Sequence, residues 1–310
     1  MKEIKKLLVI IDPDVKNDFV IERARLLATA FRPEVELYIN RPSDLKPKKR
    51  TRRQFFARLL GLRKPRSRRH YQQRLSALQQ QFDGLGIEVR TTFTEYRHTA
   101  DSILQKILDY EPDLALKSVQ KQTALSRILI TSTDWKLIKQ SPAPLWLVKS
   151  GKWEPDGCTM AAVDPMHTKA QQNELDHLLL DAAQHMARGL GLKTRVFHCY
   201  FPDVSAMFPK VLDAADYIRG VRARHKAKIE ELLTRHNLEV GDVILTRGDL
   251  VRTLQHSIRR EKANVLVLGA LSRNFVERTI VGSTAEKMLY DTNCDVLIMK
   301  SPPPPAATAT

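Results

Sequence analysis

Short apolar runs alternate along the chain with segments whose apolar residues recur at helical spacing. Each run stops at a polar residue or a glycine, which is typical of a buried strand in a parallel sheet. Strands that alternate with helices in this way predict βαβ units. The pattern therefore predicts an α/β protein.

The pattern divides into two similar halves, each with five strands and four helices. In the first half it predicts strands near 6–12, 35–39, 87–93, 113–117 and 145–149, and helices near 17–31, 69–83, 98–109 and 132–140. In the second half it predicts strands near 159–164, 194–199, 240–246, 264–268 and 295–300, and helices near 169–189, 214–236, 249–260 and 283–291. The prolines and small residues of 301–310 fit neither type of element, so we expect a disordered tail there.

Three landmarks of the first half recur in the second at a nearly constant distance. The first strand ends at Asp12 and its counterpart at Asp164, 152 positions later. Ser132 and Ser283 are separated by 151 positions, as are the closing runs APLWLVKS and CDVLIMKS. Such agreement indicates a tandem duplication, with one domain over 1–150 and another over 151–300.

The last part of the chain carries the clearest binding motif. An apolar strand, VLVL, ends at Gly269, and after a loop Gly282-Ser283-Thr284 precedes a helical pattern. A helix N-terminus offers backbone N–H groups, and glycine lets the backbone approach a ligand closely. These features together predict a cradle for phosphate.

This motif resembles the signature of the universal stress protein family. Its nucleotide-binding members carry glycine, two residues, glycine, nine residues and then Gly-Ser or Gly-Thr. Here Gly269, Ser272 and Gly282-Ser283 keep the spacing, with serine in place of the second glycine. The resemblance implies two tandem, doubly wound domains, each with a five-stranded parallel sheet related to the adenine nucleotide alpha hydrolase fold. The ligand crevice would lie above the carboxyl ends of strands one and four.

The resemblance places a candidate nucleotide site in the second domain, with ATP or another adenine nucleotide as the candidate cofactor. A crevice that is empty or holds a different small molecule is the alternative. The candidate residues are Asp164, Cys199, Gly269, Ser272, Arg273, Gly282, Ser283 and Thr284.

The first domain lacks this motif. Lys117, Gln120 and Thr131 align with the three motif positions, with one inserted residue, and none of them is glycine. We expect the Lys117 side chain to enter the space that phosphate would fill. The first domain is therefore predicted to support its neighbour as one half of a built-in dimer, and the chain itself to be monomeric or to form a homodimer.

Charge is concentrated in one segment. The net charge is +16, and residues 41–70 contain thirteen Lys or Arg and one acid, so the other 280 residues share only +4. The segment 41–68 is predicted to be an insertion that binds nucleic acid, anionic membrane or a protein partner, or else to be a solvated loop. Its candidate contact residues are Lys46, Lys48, Lys49, Arg50, Arg52, Arg53, Phe55, Phe56 and Arg58.

The sequence offers little support for catalysis. It contains neither a GxSxG motif nor a Walker A motif, and its nine histidines form no HExxH pattern. Cys158, Cys199 and Cys294 are widely spaced, which argues against a disulfide framework and fits a reducing cytoplasm. We expect no metal site and a non-catalytic, cytoplasmic stress-response protein, with weak ATP hydrolysis as the alternative activity.

Overall fold

The computed structural model describes residues 3–13, 18–42, 67–121, 128–149, 151–166, 170–202, 214–269, 288–290 and 292–300. The nine candidate residues of the basic segment and the predicted tail lie outside these ranges.

The first half follows the predicted order of elements closely. Its elements are β1 (Lys6–Ile10), α1 (Asp18–Phe31), β2 (Glu34–Arg41), α2 (Arg68–Gln79), β3 (Val89–Glu95), α3 (Thr99–Tyr110), β4 (Leu114–Ser118), β5 (Gln120–Lys121), β6 (Ile128–Leu129), α4 (Ser132–Gln140) and β7 (Leu145–Val148). The short strands β5 and β6 form a separate antiparallel pair that the sequence pattern did not predict.

The second half repeats this order. Its elements are β8 (Cys158–Ala162), α5 (Ala170–Leu190), β9 (Lys193–Tyr200), α6 (Ala214–Leu233), β10 (Val243–Arg247), α7 (Leu250–Arg260), β11 (Ala263–Gly269) and β12 (Asp295–Met299). The strand predicted at 240–246 begins too early, because Glu239 and Asp242 cap each other and close a 3-10 turn before β10. Most of the helix predicted at 283–291 lies outside the described residues.

All the long strands belong to one ten-stranded sheet. The order is β3-β2-β1-β4-β7 in the first half and β10-β9-β8-β11-β12 in the second, with parallel pairing within each half. The halves meet where β12 pairs antiparallel with β7, with Leu297 opposite Trp146. The predicted fold class, two tandem doubly wound domains, is confirmed.

Helices cover both faces of this sheet, which explains why most residues of its central strands are apolar. On one face α1, α2, α5 and α6 pack over a core that continues from one half into the other. On the opposite face α3 and α4 cover the first half and α7 covers the second. The carboxyl ends of each half's parallel strands meet at one edge, where such sheets bind ligands.

A buried polar cluster fastens the two halves together beside the β7–β12 pair. Asp295, at the start of β12, accepts hydrogen bonds from Arg23 Nε at 2.9 Å, the Lys149 backbone N–H at 2.8 Å and Trp153 Nε1 at 3.1 Å. The Arg23 guanidinium also lies 4.4 Å from the Trp153 ring centroid. Arg23 comes from α1 and Asp295 from the second half, so the cluster fixes how the halves pack.

Equivalent helices of the two halves also pack against each other. Phe31, at the end of α1, stacks on His185 of α5 with ring centroids 4.8 Å apart. A side chain at Gly189 would collide with the Phe31 ring, so glycine allows this close approach. The built-in pairing of the two halves therefore involves helices as well as strands.

Candidate functional site

Three of the predicted site residues meet at one edge of the second half. Asp164 follows β8, Cys199 lies near the end of β9 and Gly269 ends β11. These strands are neighbours in the order β9-β8-β11, so their carboxyl ends are adjacent. The Asp164 side chain is exposed, while its backbone N–H donates to Asp176 Oδ1 of α5 at 3.2 Å.

Five further predicted site residues lie outside the described ranges, so their placement remains a prediction. They are Ser272, Arg273, Gly282, Ser283 and Thr284.

The Cys199 side chain is held by its neighbours at the sheet edge. Its Sγ donates to the Gly248 carbonyl at 3.3 Å and accepts from Thr253 Oγ1 at 3.2 Å. Both partners belong to the segment that joins β10 to α7 and its first turn. Cys199 therefore ties β9 to the neighbouring loop.

Gly269 has a packing role that needs no ligand. A Cβ atom at this position would lie 2.6 Å from Leu175 Cδ2. Contacts this short between carbon atoms are strongly repulsive, so a larger residue here would require the Leu175 side chain of α5 to move. The residue thus serves the packing of α5 as well as the predicted cradle.

Two histidines beside Asp164 were not predicted as a pair. His198 Nδ1 lies 2.9 Å from the Val163 carbonyl, and His198 Nε2 lies 2.7 Å from His225 Nδ1. Because a carbonyl only accepts, Nδ1 of His198 carries a proton. His225, from α6, also stacks on Tyr200 with a centroid distance of 5.1 Å. Burial lowers the pKa of His225, and the adjacent His198 adds to this effect.

A second histidine pair connects α5 with the end of α6. His177 Nδ1 lies 2.8 Å from His236 Nε2, and His236 Nδ1 lies 3.3 Å from Asp181 Oδ1. Burial lowers the pKa of His236, which favours the neutral imidazole that the pair requires. His177 also borders a cleft of about 310 Å³ between the two helices. The polar lining of the cleft combines acids, bases and one amide: Asn173, Glu174, Asp176, Lys228, Glu231 and Arg235.

Strand pairing corrects the predicted alignment of the two cradles. Lys117 of β4 lies opposite Leu147, and Leu268 of β11 lies opposite Ile298. Leu147 and Ile298 are 151 positions apart in the duplicated closing runs. Lys117 therefore corresponds to Leu268, and the prediction that it matches Gly269 was wrong by one position.

The corrected alignment also removes the predicted insertion. With a constant offset of 151, Ser118 matches Gly269, Lys121 matches Ser272 and Thr131 matches Gly282. The earlier assignment of Gln120 to the second motif position was therefore also wrong by one residue. The first half still has no glycine at the three motif positions.

The first half fills its cradle with its own ion pair. Lys117 Nζ lies 2.6 Å from Asp134 Oδ1, and both side chains are nearly inaccessible to water. The other carboxylate oxygen accepts from the Thr131 backbone N–H at 2.7 Å and from Thr131 Oγ1 at 2.8 Å. These contacts form a capping box at the N-terminus of α4, where the helix dipole favours negative charge.

The sequence pattern predicts that Lys117 enters the cradle but does not identify Asp134 as its partner. Asp134 is 17 positions away and was assigned only to a helix. The signal was the spacing of Thr131 and Asp134, which is that of a capping box. Asp134 occupies the position at the helix N-terminus where an anion from solution would otherwise be favoured.

The second half has neither member of this ion pair. At the offset of 151, Lys117 corresponds to Leu268 and Asp134 corresponds to Ala285. The threonine that caps α4 corresponds to Gly282. The second cradle thus lacks the internal carboxylate that the first one carries.

Other kinds of site find no support among the residues that the structure describes. No group of three or more His, Cys, Asp or Glu side chains there is arranged to hold a metal ion. The three cysteines are free, and burial raises the pKa of the Cys158 and Cys294 thiols to about 12. None of the helices in these ranges is long and apolar enough to cross a membrane.

Known proteins resemble the chain over nearly its whole length. Universal stress protein E of Photorhabdus laumondii is 24% identical over 315 residues, covering 97% of this chain and 96% of that protein. Universal stress protein E of Escherichia coli K12 is 22% identical, covering 96% and 94%. A crystal structure from Pseudomonas aeruginosa UCBPP-PA14, of a protein assigned to the universal stress proteins, superimposes with a TM-score of 0.75. It is 20% identical and covers 96% of this chain and 93% of its own.

The profile of the Universal stress protein family matches the chain twice, at residues 3–149 and 167–300. The first match contains all the strands of the first half, and the second begins after β8 and continues through β12. The chain therefore belongs to the universal stress protein family, as a tandem member with two family domains.

Proposed function

We propose that this tandem universal stress protein is a non-catalytic stress-response protein that binds the phosphate of an adenine nucleotide, such as ATP, in its second domain. The observation that carries the proposal is the difference between the two cradles. The first holds the Asp134 carboxylate against the N-terminus of α4, paired with Lys117. The corresponding residues of the second are Leu268 and Ala285, which supply no negative charge.

A helix N-terminus favours a partner that accepts hydrogen bonds and carries negative charge. Its first N–H groups have no partner within the helix, and its dipole attracts an anion. The first domain satisfies this need internally. The second domain keeps the Gly-Ser-Thr sequence at the matching position without the internal carboxylate, so a phosphate from solution takes that role.

The described part of the crevice is compatible with a nucleotide. Asp164 is exposed beside the end of β11, and its carboxylate can accept hydrogen bonds from sugar hydroxyls. Outside the described ranges, the sequence offers the Ser272 hydroxyl in place of glycine and the Arg273 cation as further partners for phosphate. The absence of recognisable catalytic motifs favours binding without turnover, so bound ATP is expected to remain intact.

Native mass spectrometry of the freshly purified protein tests this proposal. The expected result is one adenine nucleotide per chain, released intact on denaturation and identified by its mass. A different released molecule, or a ligand-free mass that millimolar ATP leaves unchanged, would contradict it.

Matched variants of the two domains locate the site. Gly282→Asp places a carboxylate in the second cradle and should abolish binding. Asp164→Ala should weaken it, whereas Asp12→Ala, the same change at the equivalent residue of the first domain, should leave it unchanged. Equal effects of Asp164→Ala and Asp12→Ala would show that the nucleotide is not confined to the second domain.

A further inference from the structure

Helices α3 and α7 occupy equivalent places in the two domains but carry opposite charges on their exposed faces. Their buried residues correspond at the offset of 151, Ile103 to Leu254 and Ile107 to Ile258. The two helices therefore point the same set of positions towards the solvent, and their outer faces can be compared residue by residue.

The outward positions have changed from acidic or neutral to basic. In α3 they are Asp101, Gln105, Leu108 and Asp109, and in α7 they are Arg252, His256, Arg259 and Arg260. All four of the α7 side chains are exposed. Helix α7 itself contains no acidic residue, while α3 contains two.

The acidic face of α3 is engaged within its own domain. Asp101 forms an ion pair with Lys136 of α4, and Asp109 accepts a hydrogen bond from Gln105 at 2.7 Å. On α7, Arg260 pairs with Glu261 at 2.9 Å. Within the described ranges neither Arg252 nor Arg259 has an ion pair. The α7 face thus offers cations that the fold itself does not use.

A stabilising effect on α7 explains some of these exposed arginines but not all of them. Arg259 and Arg260 lie in the last turn, where cations complement the helix dipole. Arg252 lies in the first turn, where the same dipole disfavours a positive charge. Its side chain therefore has no evident role in stabilising the helix.

We propose that the exposed arginine row of α7 binds the phosphate backbone of double-stranded nucleic acid. Arg252 and Arg259 are two turns apart, and a rise of about 10 Å along the helix separates them, so both can contact phosphates of the same duplex. Arginine forms two parallel hydrogen bonds to a phosphate, which suits such a row.

The composition of the face favours a duplex over two other polyanionic partners. A helix that inserts into a membrane surface exposes apolar side chains, but Leu254 and Ile258 of α7 are buried in the core. Single-stranded nucleic acid is usually bound by stacking its bases on aromatic side chains, and α7 has no Phe, Tyr or Trp and only the His256 ring. A protein can bind a duplex through a row of cationic side chains alone, because the phosphates lie on the outside of the duplex.

The salt dependence of binding to a labelled DNA duplex of about 20 base pairs tests the proposal. In Arg252→Gln/Arg259→Gln/Arg260→Gln, the slope of log K against log salt should shrink by about 2 to 3, since each lost phosphate contact removes about 0.9. The control Arg25→Gln/Arg188→Gln/Arg222→Gln removes the same charge from exposed positions elsewhere and should leave the slope nearly unchanged.

A second variant transfers the basic residues of α7 to the equivalent positions of α3. It predicts a gain of binding, which a folding defect would not produce. Asp101→Arg/Gln105→His/Leu108→Arg/Asp109→Arg gives α3 the α7 face and should increase the slope. An unchanged slope in the α7 variant, or equal losses in the α7 variant and its control, overturns the proposal. So does an α7 variant that loses binding to phosphatidylserine vesicles while its duplex binding stays intact. None of these results depends on whether the second cradle binds a nucleotide.

Discussion

The two cradles of this protein occupy equivalent places in the two halves but differ in charge at two matching positions. In the first, the carboxylate of Asp134 sits at a helix N-terminus and is neutralised by Lys117. In the second, these two positions hold Leu268 and Ala285. Two substitutions therefore separate a cradle that carries its own anion from one that lacks this ion pair, and we propose that the second cradle takes an anion from solution.

The largest effect is expected from breaking the internal ion pair. Asp134→Ala leaves the Lys117 ammonium buried without a partner, and removing one member of a buried pair costs about 3–5 kcal/mol of unfolding free energy. The Lys117 side chain remains 11% exposed, so we expect a loss near the lower limit. Urea denaturation measures it.

The control is the double variant Lys117→Leu/Asp134→Ala, which copies the second domain. It removes both charges and should recover most of the stability lost in Asp134→Ala. If Asp134→Ala costs no more than an exposed ion pair, about 1 kcal/mol or less, the first cradle is not closed by this contact.

A smaller effect is expected from the helix cap. Thr131 Oγ1 accepts from the Asp134 backbone N–H at 3.2 Å and donates to its carboxylate. Thr131→Ala should lower the unfolding free energy by about 1–2 kcal/mol, as loss of an N-cap does, while Thr131→Ser should be nearly neutral. Equal thermal melting of both variants and the parent protein would show that the capping box does not stabilise α4.

The smallest effect is expected in how the stability of the protein depends on pH. Burial lowers the pKa values of His185, His225 and His236, which all belong to the second domain. Below their usual pKa near 6.5 the unfolded chain binds more protons than the native one, so stability falls as the pH drops through this range. Melting temperatures at about pH 7.5 and 5.5 should show the fall, and His225→Gln should reduce it. An unaltered pH dependence in that variant would contradict the assignment.

Periodicity was sufficient to predict the fold, because each domain combines buried strands with helices that have one apolar face. It failed at Val240, where a local capping box outweighs the preference of valine for strands. It also could not show that β12 pairs with β7, since two edge strands with apolar residues carry no signal of which edge they will meet. The single ten-stranded sheet was visible only in the structure.

The site was less predictable than the fold. The family signature identified the edge where Asp164, Cys199 and Gly269 meet. The pairing of His198 with His225 depends on how α6 is rotated over the sheet, which spacing along the chain does not specify. The one-residue error at Lys117 had a similar cause, because only the strand pairing fixes the alignment of the two cradles.

Titration of ATP into a reciprocal pair of variants shows whether the absence of this ion pair is what lets the second domain bind a nucleotide. Leu268→Lys/Ala285→Asp builds the ion pair of the first domain into the second, and Lys117→Leu/Asp134→Ala removes it from the first. We expect calorimetry to show that the second-domain change abolishes ATP binding, while the first-domain change retains the original site. ATP binding that survives the second-domain change, or disappears with the first-domain change, would contradict the account.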